Sequence, residues 1–396
     1  MTGKKFLTAM FFIVVGLVLI ISVASASPDL SKQELGKAIF FDENLSLNGN
    51  QSCSSCHDPE AGWTGPILDI NVHGAVYEGS IPGAFGNRKP PSAAYATFSP
   101  IFFLDKKDTF TGGNFWDGRA TGEKLGNPAA DQAQGPFLNP KEQALPTATE
   151  VVARVCAASY GNLFRQVWGS TICNSENVNA AYNDIALSIA SYEASSEVNA
   201  FTSKYDYSLK GQAKLTKEER KGLALFQGKG GCKACHIGTG RDALFTDFTY
   251  DNLGIPKNPE NPVYTYDPTF IDFGLGAYLN TRSDYASFAE ENMGKFKVPT
   301  LRNVDLRPFS DFVKAYGHNG YFKSLWSIVH FYNTRDVLPT CPGDYTEAQA
   351  LAANCWPAPE VAANVNRDEL GNLGLTFEEE ADIVAFLKTL SDGYLP

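Results

Sequence analysis

Two short segments of this 396-residue chain carry the same arrangement of reactive side chains, Cys53-Ser-Ser-Cys56-His57 and Cys232-Lys-Ala-Cys235-His236. Cys-x-x-Cys-His is the attachment pattern of haem c. The spacing has a chemical reason: two thiols add to the two vinyl groups of one porphyrin, and the adjacent imidazole reaches the iron from the same side. A zinc ribbon would place its two cysteine pairs about 15–20 residues apart, whereas Cys56 and Cys232 are 176 apart. A thioredoxin-type pair lacks the trailing histidine and sits beside βαβ units, which the sequence does not suggest. The spacing therefore predicts two covalent haem c groups, one in each half.

The other cysteines, Cys156, Cys173, Cys341 and Cys355, form two local pairs 17 and 14 residues apart. In an oxidising compartment these are predicted disulfides, each stabilising by about 3 kcal/mol on the loop-entropy account. Further iron ligands are scarce. Beyond His57 and His236 there are only His73, His318 and His330, and the methionines are Met1, Met10 and Met293. Met1 and Met10 fall in the expected signal, so Met293 is the one methionine candidate. At least one iron is thus expected to be open or to have an unusual ligand. His330 reads as a hydrogen-bonded histidine on a helix face.

The elements that hold these motifs are read as helices. Thr216-x-x-Glu219 forms a capping box before Gly222, Leu225 and Phe226, and Ser31-x-x-Glu34 reads as another before Gly36, Ile39 and Phe40. In both, Gly-x-x-(Ile/Leu)-Phe precedes the haem motif, a glycine for close helix crossing and an aromatic for packing. Each half also closes with a helix: Ile185, Ile189 and Tyr192 share one face in the first, and Thr376-x-x-Glu379 caps Ile383, Phe386, Leu387 and Leu390 in the second. The expected fold is mainly α: two cytochrome c-like domains, 27–205 and 206–396, with long irregular loops at 62–115 and 251–281.

Bulk properties bound the function. A hydrophobic fraction of 43% supports full cores, and 33 Lys+Arg against 44 Asp+Glu argue against a nucleic-acid partner. Lys4 and Lys5, an apolar run from Phe6 to Val23, and Ala24-Ser25-Ala26 read as a cleavable signal peptide over 1–26. Cleavage would leave no membrane span and place the protein in the periplasm or on the cell surface.

In this order, the motifs resemble the bacterial di-haem cytochrome c peroxidases and the related enzyme MauG. The resemblance covers nearly the whole mature chain. It runs through the first Cys-x-x-Cys-His, Gly86-Asn87-Arg88, Phe115-Trp116-Asp117-Gly118-Arg119 and the segment from Gln132 to Glu142. It continues through the second Cys-x-x-Cys-His, Val298 to Asn303, His318-Asn319-Gly320 and Phe331-Tyr332-Asn333. It implies that the His57 haem meets hydrogen peroxide, with Glu142 as distal acid/base, Gln132 orienting peroxide and Pro136 shaping the pocket. It implies that Trp116 lies between the haems, that the His236 haem relays electrons, and that Arg119 and Arg302 partner haem propionates.

Tyr332 stands fourteen residues after His318, where the peroxidases have a methionine ligand of the second haem and MauG has a tyrosine; Met293 does not align there. His73 follows His57 by 16 residues, as the peroxidases' switchable distal histidine does, although MauG lacks that ligand. The family also carries calcium between the domains, which would use Asn87 and carbonyls near Val313 and Ala315; its usual Thr-x-Pro before the histidine is absent. The leading function is peroxide reduction with electrons from a small c-type cytochrome or cupredoxin. One alternative is MauG-like oxidation of residues in a partner protein through a high-valent di-haem state, which Tyr332 favours while His73 favours the first. Another is a non-catalytic di-haem electron carrier, against which Glu142 and Gln132 argue.

Overall fold

The computed structural model describes residues 28–238 and 240–396. The expected signal peptide, with Met1 and Met10, lies outside the described residues. The described chain is mainly helical: α1 Pro28–Phe40, α2 Leu68–Val72, α3 Pro128–Leu138, α4 Ala148–Ala157, α5 Gly161–Trp168, α6 Val178–Glu193, α7 Lys204–Leu209, α8 Lys217–Gln227, α9 Val263–Tyr266, α10 Gly274–Leu279, α11 Leu325–Thr334, α12 Glu347–Ala353 and α13 Phe377–Lys388. Two antiparallel two-stranded ribbons complete it, β1 Phe103–Leu104 with β2 Phe110–Thr111 and β3 Tyr250–Asp251 with β4 Phe296–Lys297. Among the described residues no helix is long and apolar enough to cross a membrane.

Two helix pairs organise the molecule, and each depends on a glycine. Where α1 crosses α6, a Cβ on Gly36 would lie 1.9 Å from the Ser188 carbonyl oxygen and 2.9 Å from the Tyr192 Cβ. Where α8 crosses α13, a Cβ on Gly222 would lie 1.8 Å from the Asp382 carbonyl oxygen and 2.9 Å from the Phe386 Cβ. Only the missing side chain lets the backbones approach so closely. Four residues on, Phe40 meets Tyr192 edge to face at 5.5 Å, and Phe226 meets Phe386 at 5.2 Å.

The helix starts follow local chemistry. Thr216 and Thr376 both form capping boxes with the glutamate three residues on, as their sequences predict. Ser31 does not: α1 already runs from Pro28, a residue whose fixed φ suits a first turn, with Asp29 in that turn.

The first core gathers Leu35, Ile39, Phe40, Val151, Ile185 and Tyr192, among others. The second gathers Tyr205, Phe226, Phe245, Phe331 and Phe386. A smaller third core combines Phe102, just before the first ribbon, and Phe110 within it with Tyr250, Leu275 and Leu279, so it draws on both sides of residue 205. Both predicted cysteine pairs are joined, Cys156 to Cys173 beside the first core and Cys341 to Cys355 beside the second.

Candidate functional site

Each Cys-x-x-Cys-His begins in a single 3-10 turn, Cys53–Ser55 and Cys232–Ala234. The turn folds the histidine back over the cysteines: the His57 backbone N–H donates to the Cys53 carbonyl at 3.0 Å, and that of His236 to Cys232 at 2.9 Å. All four thiols are free, whereas the other four cysteines are disulfide-bonded. In both imidazoles Nδ1 lies at a backbone carbonyl, Trp63 for His57 at 3.3 Å and Phe245 for His236 at 2.8 Å. A carbonyl is an acceptor only, so Nδ1 carries the hydrogen and Nε2 is left with its lone pair, the form that binds a metal. Burial holds His57 down at about 4 and lowers His236 as well, so both are neutral at ordinary pH.

Each histidine lines its own cavity. The first, with about 740 Å³ of atom-free space partly open to solvent, is lined by His57, Tyr95, Trp116, Gln132, Glu193 and Lys297. The second, with about 1700 Å³, is lined by Cys232, Cys235, His236, Tyr332, His318 and Leu387. Both are lined by aromatic and aliphatic side chains together with a few polar groups, as ligand sites are. Trp116 lines both cavities. Its indole N–H donates to the Lys89 carbonyl at 2.8 Å, and its own carbonyl accepts from Lys297 N at 2.8 Å, so the wall between the cavities is fixed from both sides.

Gln132 and Pro136 belong to α3, one helical turn apart and therefore on one face. Asn127 starts that helix by accepting from Ala129 N at 2.9 Å, with Pro128 at its first position. After α3 the chain doubles back, Gln143 N donating to the Pro136 carbonyl at 3.1 Å and Leu145 N to Phe137 at 2.8 Å, which lays Glu142 beside the last turn. The Glu142 carboxyl is raised by burial, with Arg119 and Asn139 opposing. It lies near the first motif: burial raises both Cys53 and Cys56, the latter to about 12, and the Glu142 charge adds to each.

Tyr332, on α11, lines the second cavity with His236. Burial raises its phenol above the ordinary value, and the Cys232 and Cys235 thiols add to that. Met293 packs instead against the third core.

Three expectations meet a different environment. His73 caps the end of α2 with its side chain 59% exposed, pairs with Glu260 at 3.1 Å, and lines neither cavity. The stretch that follows it carries the imidazole to the surface. Arg302 is fully buried, but its two terminal nitrogens grip Asp206 at 2.9 Å each and its Nε donates to the Ala243 carbonyl at 2.6 Å. Its fork is thus filled by a protein carboxylate. Arg119 is partly exposed; it pairs with Asp117 at 2.7 Å and stacks over Phe115.

Around the expected calcium position, Asn87 Nδ2 faces Asp272 at 3.4 Å, and the Val313 carbonyl accepts from Asn71 at 3.2 Å. Arg88 clamps Asp272 with two bonds of 2.7 Å and reaches Asp117 at 2.6 Å, so a protein cation already neutralises the carboxylate there.

Sequence reasoning missed four buried groups. Glu193, pushed to about 8 by burial, lines the first cavity. Lys297, lowered to about 7 by burial, lines both. Lys89, lowered to about 8, and Lys314 line the second. No local motif marks these residues; only their burial does. His318, a motif residue without an assigned role, is 3% exposed and stacks on Phe296 at 3.5 Å, with neither ring nitrogen hydrogen-bonded. A polar group in the second cavity would satisfy it.

Comparison with known proteins agrees with this geometry. Residues 30–214 match the family model described as di-haem cytochrome c peroxidase. The chain is 33% identical over 365 residues to the methylamine utilization protein MauG of Paracoccus denitrificans, covering 90% of this chain and 88% of that protein. It is 27% identical over 369 residues to the cytochrome-c peroxidase IdrP2 of Denitromonas iodatirespirans, covering 90% and 81%. The diheme peroxidase BthA from Burkholderia thailandensis superposes with a TM-score of 0.74 at 28% identity, covering 93% of this chain and 87% of that one.

Proposed function

Because the chain belongs to the di-haem cytochrome c peroxidase family, which includes MauG, we propose that it reduces hydrogen peroxide in the periplasm at the first cavity with electrons relayed through the second. The observation that carries this reading is the pair of cavities, each with a thiol pair and a carbonyl-held histidine, sharing Trp116 as a wall. The free thiols, the neutral imidazoles and the unsatisfied His318 suit a haem c in each half, in two cytochrome c-like domains meeting near residue 205. Cys53, Cys56 and His57 would hold one haem and Cys232, Cys235 and His236 the other, with Tyr332 a further iron ligand in the larger cavity. Haem supplies electron storage and an iron that binds peroxide.

The chain's own residues do the rest. Peroxide becomes two waters by taking up two electrons and two protons. The Glu142 carboxylate accepts a proton from one peroxide oxygen and returns it to the other, so that the latter leaves as water. Burial raises the Glu142 carboxyl above its ordinary value, so it holds a proton more readily than an exposed glutamate. The Gln132 amide orients peroxide, Pro136 keeps the end of α3 in place, and the Trp116 indole carries electrons between the cavities. The donor is a small c-type cytochrome or a cupredoxin. His73 has no part in this reading, given its surface pairing with Glu260; Arg302 lines the second cavity with its fork held by Asp206. A calcium ion between the halves would use the Asn87 side-chain oxygen and the carbonyls near Val313 and Ala315, beside the Arg88–Asp272 pair.

Tyr332 supports a second reading. It lines the second cavity with His236 while Met293 packs against the third core, which favours MauG-like oxidation of residues in a partner protein. One experiment separates the readings: the holoprotein is mixed with peroxide and a reduced c-type cytochrome. Fast oxidation of the cytochrome supports the peroxidase, and a persistent altered haem spectrum with little turnover supports the MauG-like enzyme. In either case Glu142→Gln should slow the peroxide reaction by about 10²–10⁴-fold. An unchanged rate removes Glu142 from the chemistry.

A further inference from the structure

The two histidines are held by carbonyls on short loops, and the loops are secured differently. Behind His236, Arg302 donates to the Ala243 carbonyl at 2.6 Å and the Thr300 hydroxyl to the Leu244 carbonyl at 2.7 Å. The Phe245 carbonyl that follows holds Nδ1. All these residues belong to the second half.

Behind His57, the loop from Asp58 to Thr64 is closed by Asp58 N on the Thr64 carbonyl at 3.1 Å and Trp63 N on the Asp58 carbonyl at 2.7 Å. Its outer side is gripped from the other half of the chain. Lys314 Nζ donates to the Ala61 carbonyl at 2.8 Å, and also to Asn303 at 2.9 Å and Leu306 at 2.8 Å. Burial holds this amine well below the usual lysine range. Three carbonyl oxygens at hydrogen-bond distance nevertheless match the three N–H bonds of an ammonium, and that geometry decides for the charged form.

The approach depends on Gly62. It has a left-handed φ of +71°, and a Cβ there would sit 2.7 Å from both Lys314 Nζ and the Asn303 carbonyl oxygen. Lys314 also lines the second cavity, so one side chain touches the surroundings of both sites.

We propose that Lys314 is a positioning residue for His57: from the second half it pins the loop whose Trp63 carbonyl holds the His57 imidazole, and so couples the electron richness of that histidine to the arrangement of the second half. The inference rests on the proposed ligation of iron by His57. The His57–Trp63 hydrogen bond, at 3.3 Å, is longer than its 2.8 Å counterpart in the second half. It is therefore the one more readily lost when its loop is freed. A weaker bond at Nδ1 leaves the imidazole a poorer electron donor to iron.

The test uses the holoprotein. Lys314→Met keeps the stem and removes the ammonium. Gly62→Ala keeps the charge and expels it from the nest. Each is compared with wild type by resonance Raman spectroscopy of the iron–histidine vibration and by potentiometric titration of both haems. The expected result for either variant is a lowered vibration and an upward shift in potential at the His57 haem, with the His236 haem unmoved. Should Lys314→Met fail to accumulate as holoprotein, Gly62→Ala carries the test. Unchanged vibrations and potentials at both haems, with only a loss of thermal stability, would reduce Lys314 to a structural brace and overturn the proposal. A His57→Ala variant with both haem spectra unaltered would instead overturn the ligand assignment beneath it.

Discussion

The helix pairs α1–α6 and α8–α13 cross with nearly the same geometry, yet the residues they present to their cavities differ. Gly36 sits on Ser188 and Tyr192 as Gly222 sits on Asp382 and Phe386. The next residue on each partner helix is Glu193 in the first half and Leu387 in the second. Glu193 lines the first cavity and Leu387 the second. One backbone design therefore surrounds two environments. Glu193 and Gln132 line only the first cavity, Tyr332 and His318 only the second, while Lys297 lines both. Repetition set the scaffold, and single side chains made the two cavities chemically different.

The largest expected effect breaks the asymmetry in the second cavity. Tyr332→Met would exchange the proposed oxygen ligand for a thioether, and the potential of the proposed His236 haem should then rise by on the order of a few hundred millivolts. Potentiometric titration measures this; an unmoved potential would mean that Tyr332 does not ligate.

A smaller effect concerns Glu193. Burial raises its carboxyl from 4.5 to about 8, so the fold holds it neutral while the unfolded chain ionises it. Its protonated form thus favours the folded state fully below the unfolded pKa. That contribution falls away as pH rises through about 8, up to a few kcal/mol in all. Glu193→Gln should flatten this part of the stability profile, measured by denaturant unfolding at pH 5 and pH 9. An identical slope in both proteins would place the titration elsewhere.

The smallest effect tests the shared scaffold. Gly36→Ala and Gly222→Ala each force a Cβ into a backbone carbonyl, and each should cost about 1–3 kcal/mol as overpacking. Similar losses in the two variants would sharpen the equivalence of the helix pairs. A loss in only one would show that one crossing can relax.

Much of this was legible beforehand because it is local. The Cys-x-x-Cys-His motifs, the capping boxes at Thr216 and Thr376 and the nearby cysteine pairs all draw their meaning from residues within a few turns of chain. Ser31 misled because a capping signature can lie inside a helix that an upstream proline has already started. The third core was not legible, since Phe102 and Tyr250 meet only when distant loops fold together. The isolation of His73 also escaped, because a loop's length does not give its direction.

The sequence by itself determined which residues can bond to a porphyrin and which glycines let helices touch, since both follow from covalent chemistry and short-range sterics. Only the tertiary structure decided that Arg302 grips Asp206, that Glu193 is buried in the cavity His57 also lines, and that Lys314 reaches across to the loop behind the first histidine. Those outcomes depend on which distant groups share a space from which water is excluded, and there an unpaired charge or an unmet hydrogen bond is costly enough to dictate its partner.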